Sequence, residues 1–359
     1  MTHKSIGFMS VKTQFDNLGD ALINRELARL IAARIPLSID LSRSPESFHA
    51  TMGVEGIANT RLVHGPRGRM MLAMATAALS GQRCYFFLNP GGLGGGVGDS
   101  SRAFISSIVY NLILLGLKMV GVKVCLAGVS FEPMTRRELL VTRFRRAICH
   151  SFSVRDKESA RYLESEGIRV DGIAPDLSFN LYDEPAQIIG PRDIATAYSF
   201  RADRGLDMER LSAMAMDLID ASPAGSIHAI VSQVGRDNAA MFSLYEKLSA
   251  SYGPDRIIFV DCHQSMDDAS AIYSRVESLY SNRLHALLVA AHAGSVPVAL
   301  IPQGKQRKIS ALFTDLGLSG NIIDFNAPTP SGCAPMRRDT AYQQCEQLNA
   351  FFDQLLSAR

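Results

Sequence analysis

The chain has 359 residues but almost no net charge and no apolar run of bilayer length. Lysine and arginine number 37 against 35 acids, giving a formal net charge of +2, so no global field draws the molecule to nucleic acid or to an anionic membrane. Any anion site has to be local. The longest apolar stretch, residues 105–117, is followed by Lys118 and falls short of the roughly 20 residues that span a bilayer, and it reads as a buried helix. No signal-peptide core opens the chain, because residues 1–10 run at once into Lys12, Thr13 and Gln14. Export is not expected. The six cysteines (Cys84, Cys125, Cys149, Cys262, Cys333 and Cys345) lack the paired spacing of a zinc site or a redox dithiol. They read as reduced thiols of a cytoplasmic protein. Tryptophan is missing altogether, which excludes nothing.

What the chain does have is alternation. Short β-branched runs trade places with longer helical patterns from end to end, the mark of βαβ units and a mostly parallel sheet. Strands are expected at 5–10, 84–88, 123–129 and 151–154, with helices at 20–33, 101–116, 135–150 and 157–166. A cluster of Pro, Gly and acids at 182–193 interrupts the pattern as a linker would. Strands then resume at 194–199, 227–232, 257–261, 279–280 and 296–301. At this length two domains are the natural expectation: residues 1–185, residues 193–325, and a tail with a terminal helix at 326–359.

Five segments carry chemistry. Asn17-Leu18-Gly19-Asp20 sits at the first strand-to-helix turn, where Gly19 permits a close approach and Asp20 suits either a helix cap or a catalytic role. Gly91-Gly92-Leu93-Gly94-Gly95-Gly96 follows a strand and precedes a helix; it fits neither the phosphate-loop nor the dinucleotide spacing. It reads as a mobile loop offering backbone N–H groups to a ligand, or as a plain flexible connection. Val154-Arg155-Asp156 ends a strand and opens a helix, so Arg155 is placed to clamp an anion or to bridge the domains, with Asp156 as the cap. Asn282-Arg283-Leu284-His285 stands where a short strand hands over to an apolar helix. An arginine beside a histidine is costly in a dry core and natural in a cleft. Gly304-Lys305-Gln306-Arg307 forms a cationic turn after the strand at 296–301. The arginine-rich helix at 135–150 suits either a solvated face or contact with anionic lipid.

In order and position these dispersed segments, with Ala174-Pro175-Asp176, resemble the polysaccharide pyruvyl transferase family. The resemblance implies two doubly wound Rossmann-like domains facing a cleft, the glycosyltransferase B type of α/β fold, with the terminal helix crossing back to the first domain. It implies transfer of pyruvate from phosphoenolpyruvate to two hydroxyls of a sugar, in a polysaccharide or its lipid-linked precursor, forming a cyclic ketal and releasing phosphate. No metal or other cofactor is expected. His285 is then the proton-transfer residue, assisted by Asp20. Arg283, Arg155, Lys305 and Arg307 hold the donor's carboxylate and phosphate. Asn17, Gly19, Gly91, Gly92 and Asn282 line the acceptor side. At 302 and 303 Pro and Gln stand where relatives carry an aromatic residue, so only Lys305 matches there. A cytoplasmic enzyme, at the inner face of the membrane when its acceptor is lipid-linked, is the expected setting. The alternatives are a nucleotide-sugar glycosyltransferase of the same fold and a noncatalytic glycan-binding subunit of polysaccharide assembly.

Overall fold

The computed structural model describes residues 4–66, 68–96, 98–184, 190–202, 207–302, 307–324 and 333–357. The chain divides into two compact units: one of Met1–Phe15, Ile23–Asn180 and Gln344–Arg359, the other of Asp16–Leu22 and Leu181–Gln343. Each is a parallel α/β sheet wrapped by helices.

The first unit runs β1 (Ser5–Ser10), α1 (Leu18–Ala32), β2 (Leu37–Asp40), α2 (Glu46–Met52), β3 (Thr60–Val63), α3 (Arg69–Leu79), β4 (Arg83–Phe87), β5 (Gly91–Leu93), α4 (Ser101–Met119), β6 (Lys123–Phe131), α5 (Arg136–Ile148), β7 (Ser151–Val154), α6 (Lys157–Ser165) and β8 (Gly172–Ile173). Its sheet order is β3-β2-β1-β4-β6-β7-β8, with β5 paired to β6. Central strands such as β4 and β6 are buried on both faces, which is why they read as continuous apolar runs rather than alternating ones. Right-handed crossovers put α1 and α2 on one face and α3 to α6 on the other. On the second of these faces Phe86, Leu88, Leu114, Leu117 and Leu126 share a core.

The second unit runs β9 (Ile194–Ser199), α7 (Met208–Asp220), β10 (Ile227–Ser232), α8 (Asn238–Tyr252), β11 (Ile257–Asp261), α9 (Met266–Ser274), β12 (Val276–Ser281), α10 (Leu284–His292), β13 (Val296–Leu300), α11 (Arg307–Asp315) and β14 (Ile322–Ile323). Its order, β11-β10-β9-β12-β13-β14, reverses direction between β9 and β12. In such sheets ligands bind outside the carboxyl ends of the strands at that reversal. Tyr198, Ile230, Val298 and Leu300 form the core beneath. Between β9 and β10 a buried hydrogen bond joins Thr196 Oγ1 to His228 Nδ1 at 2.7 Å. Burial, with Arg256 adding to it, lowers that imidazole to about 4.

The last helix, α12 (Arg338–Ser357), starts in the second unit and ends in the first. There Phe352 stacks on Phe87 with ring centres 6.1 Å apart, and Arg34 donates to Asp353 at 2.7 Å and to Asn349 at 2.9 Å.

Three expectations are corrected. The apolar stretch within α4 is neither too short for a bilayer nor buried: the helix Ser101–Met119 is long and apolar enough, by length and composition, to cross one, and Ile105, Val109, Leu112 and Ile113 are exposed, because only the Asn111, Leu114 and Leu117 side of that helix meets the sheet. Helix α1 starts at Leu18, so Asp20 lies in its first turn and is not its cap; Asn17 Oδ1 accepts from Gly19 N at 3.0 Å instead. The glycine-rich stretch is tied down rather than loose. Gly91–Leu93 pairs with β6, and Gly95 N donates to Pro133 O at 3.0 Å. Glu138 accepts from Gly96 N at 3.2 Å and from Gly98 N at 2.9 Å, so these N–H groups are engaged internally and not held out to a ligand.

Candidate functional site

The carboxyl ends of β9 and β12 are fastened together by two side chains. Ser281 Oγ donates to Ser199 O at 2.5 Å and accepts from Arg283 N at 3.0 Å. Asn282, 3% exposed, takes Arg201 N on its Oδ1 at 2.6 Å and gives its Nδ2 hydrogen to Arg201 O at 3.4 Å. The chain leaves the sheet in extended conformation at Arg283 and enters α10 at Leu284. Arg283 and His285 therefore stand at the start of a helix at the reversal point, where the helix dipole favours an anion. Asn282, expected on the acceptor side, has both amide ends committed to backbone and acts as a clamp.

Arg283 is paired with Asp237, which precedes α8, and both side chains are almost fully buried. Asp237 Oδ1 also accepts from Ala202 N at 3.3 Å. A buried pair of this kind fixes the guanidinium, since removing either partner strands the other charge out of water.

Residues 16–22 come to the same unit by backbone bonds. Asn17 forms an antiparallel bridge with Val234, Leu18 N donates to Gln233 O at 3.3 Å, and Gly235 N donates to Asp16 O at 2.9 Å. This puts Gly19 directly under the imidazole. A Cβ built on Gly19 would lie 2.5 Å from His285 Nδ1 and 2.9 Å from its Cβ, closer than any side chain allows. Glycine is needed for contact here, not for an unusual backbone angle. Asp20 follows on the first turn of α1, its N–H bonded to Asn17 O at 3.1 Å. Asn17, Gly19, Asp20, Asn282, Arg283 and His285, though more than 260 residues apart along the chain, thus share one compact unit.

Two further groups escape sequence reasoning. Asp237 reads as an ordinary residue before a helix, and only the fold brings it to Arg283. His263 accompanies Asp261 beyond β11: their Nδ1 and Oδ1 are 2.5 Å apart, and Asn238 Nδ2 donates to the other carboxylate oxygen at 2.6 Å. Burial pushes the Asp261 carboxyl up, but bonds from His263 and Asn238 outweigh it and hold the group below its ordinary value. The imidazole lies close to Gly235, whose N–H is held by Asp16. An Asp-Cys-His triplet is the only signal the sequence offers for this pair.

Arg155 is in the first unit and bonded at 2.6 Å to Asp176, which is itself held by Ser178 N at 3.0 Å and Ser178 Oγ at 2.7 Å. The partner is within its own unit, so Arg155 is not an interdomain bridge through this bond. Asp156 caps α6 as expected, accepting from Ser159 N at 2.6 Å. Gly91 and Gly92 are also in the first unit, in β5. Lys305 lies outside the described residues, and Arg307 opens α11. Among the described residues no three His, Cys, Asp or Glu side chains gather as a metal site requires.

Residues 17–302 match the family profile described as polysaccharide pyruvyl transferase. No curated protein sequence matches the chain. Among solved structures the chain is similar to UGT2 of Phytolacca americana, complexed with UDP-2-fluoro-glucose and pterostilbene (TM-score 0.53, 10% identity, 99% of this chain and 94% of that one). It is similar as well to the UDP-GlcNAc 2-epimerase of Neisseria meningitidis bound to UDP-GlcNAc (0.52, 10%, 99% and 94%). The corresponding epimerase of Methanocaldococcus jannaschii gives 0.51 at 11% identity, over 96% and 93% of the two chains. At such identities the likeness shows the fold alone, two Rossmann-like units of the glycosyltransferase B type.

Proposed function

Because the chain belongs to the polysaccharide pyruvyl transferase family, we propose that it moves pyruvate from phosphoenolpyruvate onto two hydroxyls of a sugar, in a polysaccharide or its lipid-linked precursor. The observation that carries this reading is the packing of His285 on Gly19 beside the buried Arg283. It sets a proton carrier and a fixed cation at the start of one helix.

The chemistry asks for both. One hydroxyl adds to C2 of the enol phosphate while a proton goes to its methylene carbon, giving a methyl group. The second hydroxyl then displaces phosphate from C2, its proton leaving with the phosphate, and the ketal ring closes. Imidazole titrates near neutral pH and suits the first proton transfer, a role assigned to His285. Arg283 is proposed to take the donor's carboxylate or phosphate. Arg155, Lys305 and Arg307 are proposed as further cations for the donor, and Asp20 as the group that orients the attacking hydroxyl. Nothing in this scheme calls on a metal or on a second cofactor.

The test is incubation with phosphoenolpyruvate and a panel of oligosaccharide and lipid-linked acceptors, following phosphate release and the mass of the glycan. Phosphate release coupled to a mass gain of one ketal-linked pyruvate is the expected result. Transfer of a sugar from a nucleotide sugar, with no consumption of phosphoenolpyruvate, would overturn the reading.

A further inference from the structure

Large apolar side chains are not scattered over this protein's surface. Of the eleven that are exposed among the described residues, eight lie on α3, α4 and α5, including Leu72, Leu79, Ile105, Val109, Leu112 and Met119. On α4 the positions 105, 109, 112, 116 and 119 repeat at steps of four and three, which is a single stripe along a helix. The opposite side of the same helix is occupied: Leu114 and Leu117 sit in the core, and Asn111 donates to Val141 O at 2.9 Å. The stripe is therefore an outer face of a helix already docked on its sheet. Contiguous apolar surface of this kind marks an interaction site.

The charge around it is as uneven as the apolar surface. Between Thr60 and Arg146 the sequence has twelve Lys and Arg against three acids, Asp99, Glu132 and Glu138, although the whole chain is nearly neutral. Neither α3 nor α4 contains an acid. Several arginines of α5 are committed internally: Arg143 to Glu166 O, Arg145 to Asn111 Oδ1, and Arg146 to Asp171 and Arg169 O. Exposed Arg69, Arg102 and Arg136 have no carboxylate partner among the described residues. An apolar stripe with cations at its margins and no acid along it fits the boundary between acyl chains and anionic headgroups. A second copy of the chain fits poorly, because a twofold contact through this face would bring one cationic, acid-free surface against another.

We propose that the α3–α4 face, with Arg136 of α5 at its margin, docks the protein on an anionic lipid surface. This goes beyond the transferase reading. Vesicle binding is measured without turnover, so the two ideas fail separately.

The experiment is co-sedimentation of the full chain with vesicles of phosphatidylcholine alone and of an equal mixture with phosphatidylglycerol, at low and at physiological salt. Binding should need phosphatidylglycerol and weaken with salt. The double substitution Ile105→Glu with Val109→Glu should abolish it, while melting temperature stays near that of the parent because both side chains are already in water. Arg102→Gln with Arg136→Gln, which leaves the apolar stripe intact, should lower partitioning by roughly fivefold per arginine. No binding to the mixed vesicles would overturn the proposal, as would equal binding to the neutral ones or binding that both double variants retain. Dimers detected by light scattering that the first substitution dissociates would assign the face to a second copy instead.

Discussion

At the scale of single residues, the contact between Gly19 and His285 makes the sharpest demand. A methyl group at Gly19 cannot coexist with the ring where it stands, since its carbon would fall 2.5 Å from Nδ1. Gly19→Ala should therefore displace the imidazole. Overpacking of this sort costs about 1–3 kcal/mol, and displacement of a reacting group by ~1 Å can cost on the order of 10²-fold in rate. Melting temperature and kcat on the same preparation check this; an alanine variant with unaltered kcat would remove His285 from the chemistry. His285→Gln separates proton transfer from packing. Glutamine can hydrogen-bond but cannot carry a proton near neutral pH, so single-turnover rate should fall by about 10²–10⁴-fold while affinity for phosphoenolpyruvate changes little. A histidine that served only the fold would give the reverse, lower stability with an undiminished rate. His285 and Arg283 could be singled out from sequence because an arginine and a histidine two residues apart at a strand-to-helix handover have few cheap explanations. Asp237 and His263 could not, because their partners are far along the chain and a lone acid or histidine has many.

At the scale of elements, the strands that coincide with expectation are those with dense apolar runs and clear breaks: β1, β7, β9, β10 and β11. Those not foreseen are short or polar. β3 is the edge strand Thr-Arg-Leu-Val, and β14 has two residues; neither carries enough pattern to rise above its surroundings. β5, made of Gly-Gly-Leu, contradicts propensity outright and exists because β6 supplies its partners. Glu138 is what holds the glycine-rich segment behind it. Its carboxylate completes a capping box with Thr135 at the start of α5 and also accepts from Gly96 and Gly98. Glu138→Ala should cost about 1–2 kcal/mol, as loss of a cap does, and should open residues 94–98 to protease; a variant with the parent's cleavage pattern would show that the loop is held by other means. In the second sheet, His228 sets a pH limit. Its imidazole is held near 4 in the folded chain against 6.5 in the unfolded one. Below pH 6.5 the unfolded chain takes up a proton that the folded chain refuses until about pH 4. Stability should thus decline across that window as the solution is acidified, by about 3 kcal/mol in all. His228→Asn should flatten this part of a plot of melting temperature against pH.

For the whole molecule, the doubly wound class and the family were legible because alternation and motif order survive without any contact information. The path of the chain between its two units was not, since nothing local marks it. A ligand that binds only the folded state stabilises it by mass action, so on the proposed reading phosphoenolpyruvate should raise the melting temperature in a saturable way. A titration in which UDP-sugars do so and phosphoenolpyruvate does not would favour the glycosyltransferase alternative. The chain passes from one unit to the other after Phe15, Leu22, Asn180 and Gln343. Because α12 finishes in the unit built mainly from the first half of the sequence, with Phe352 on Phe87 and Asp353 on Arg34, damage to α12 is felt some 300 residues earlier in the chain. A stop codon shortly after Tyr342 would leave every strand of the second sheet intact and uncover the core of the first. For the same reason, a fragment ending at Asn180 would lack a piece of its own interior that the ribosome has not yet made: of the two units, the one begun first is completed last.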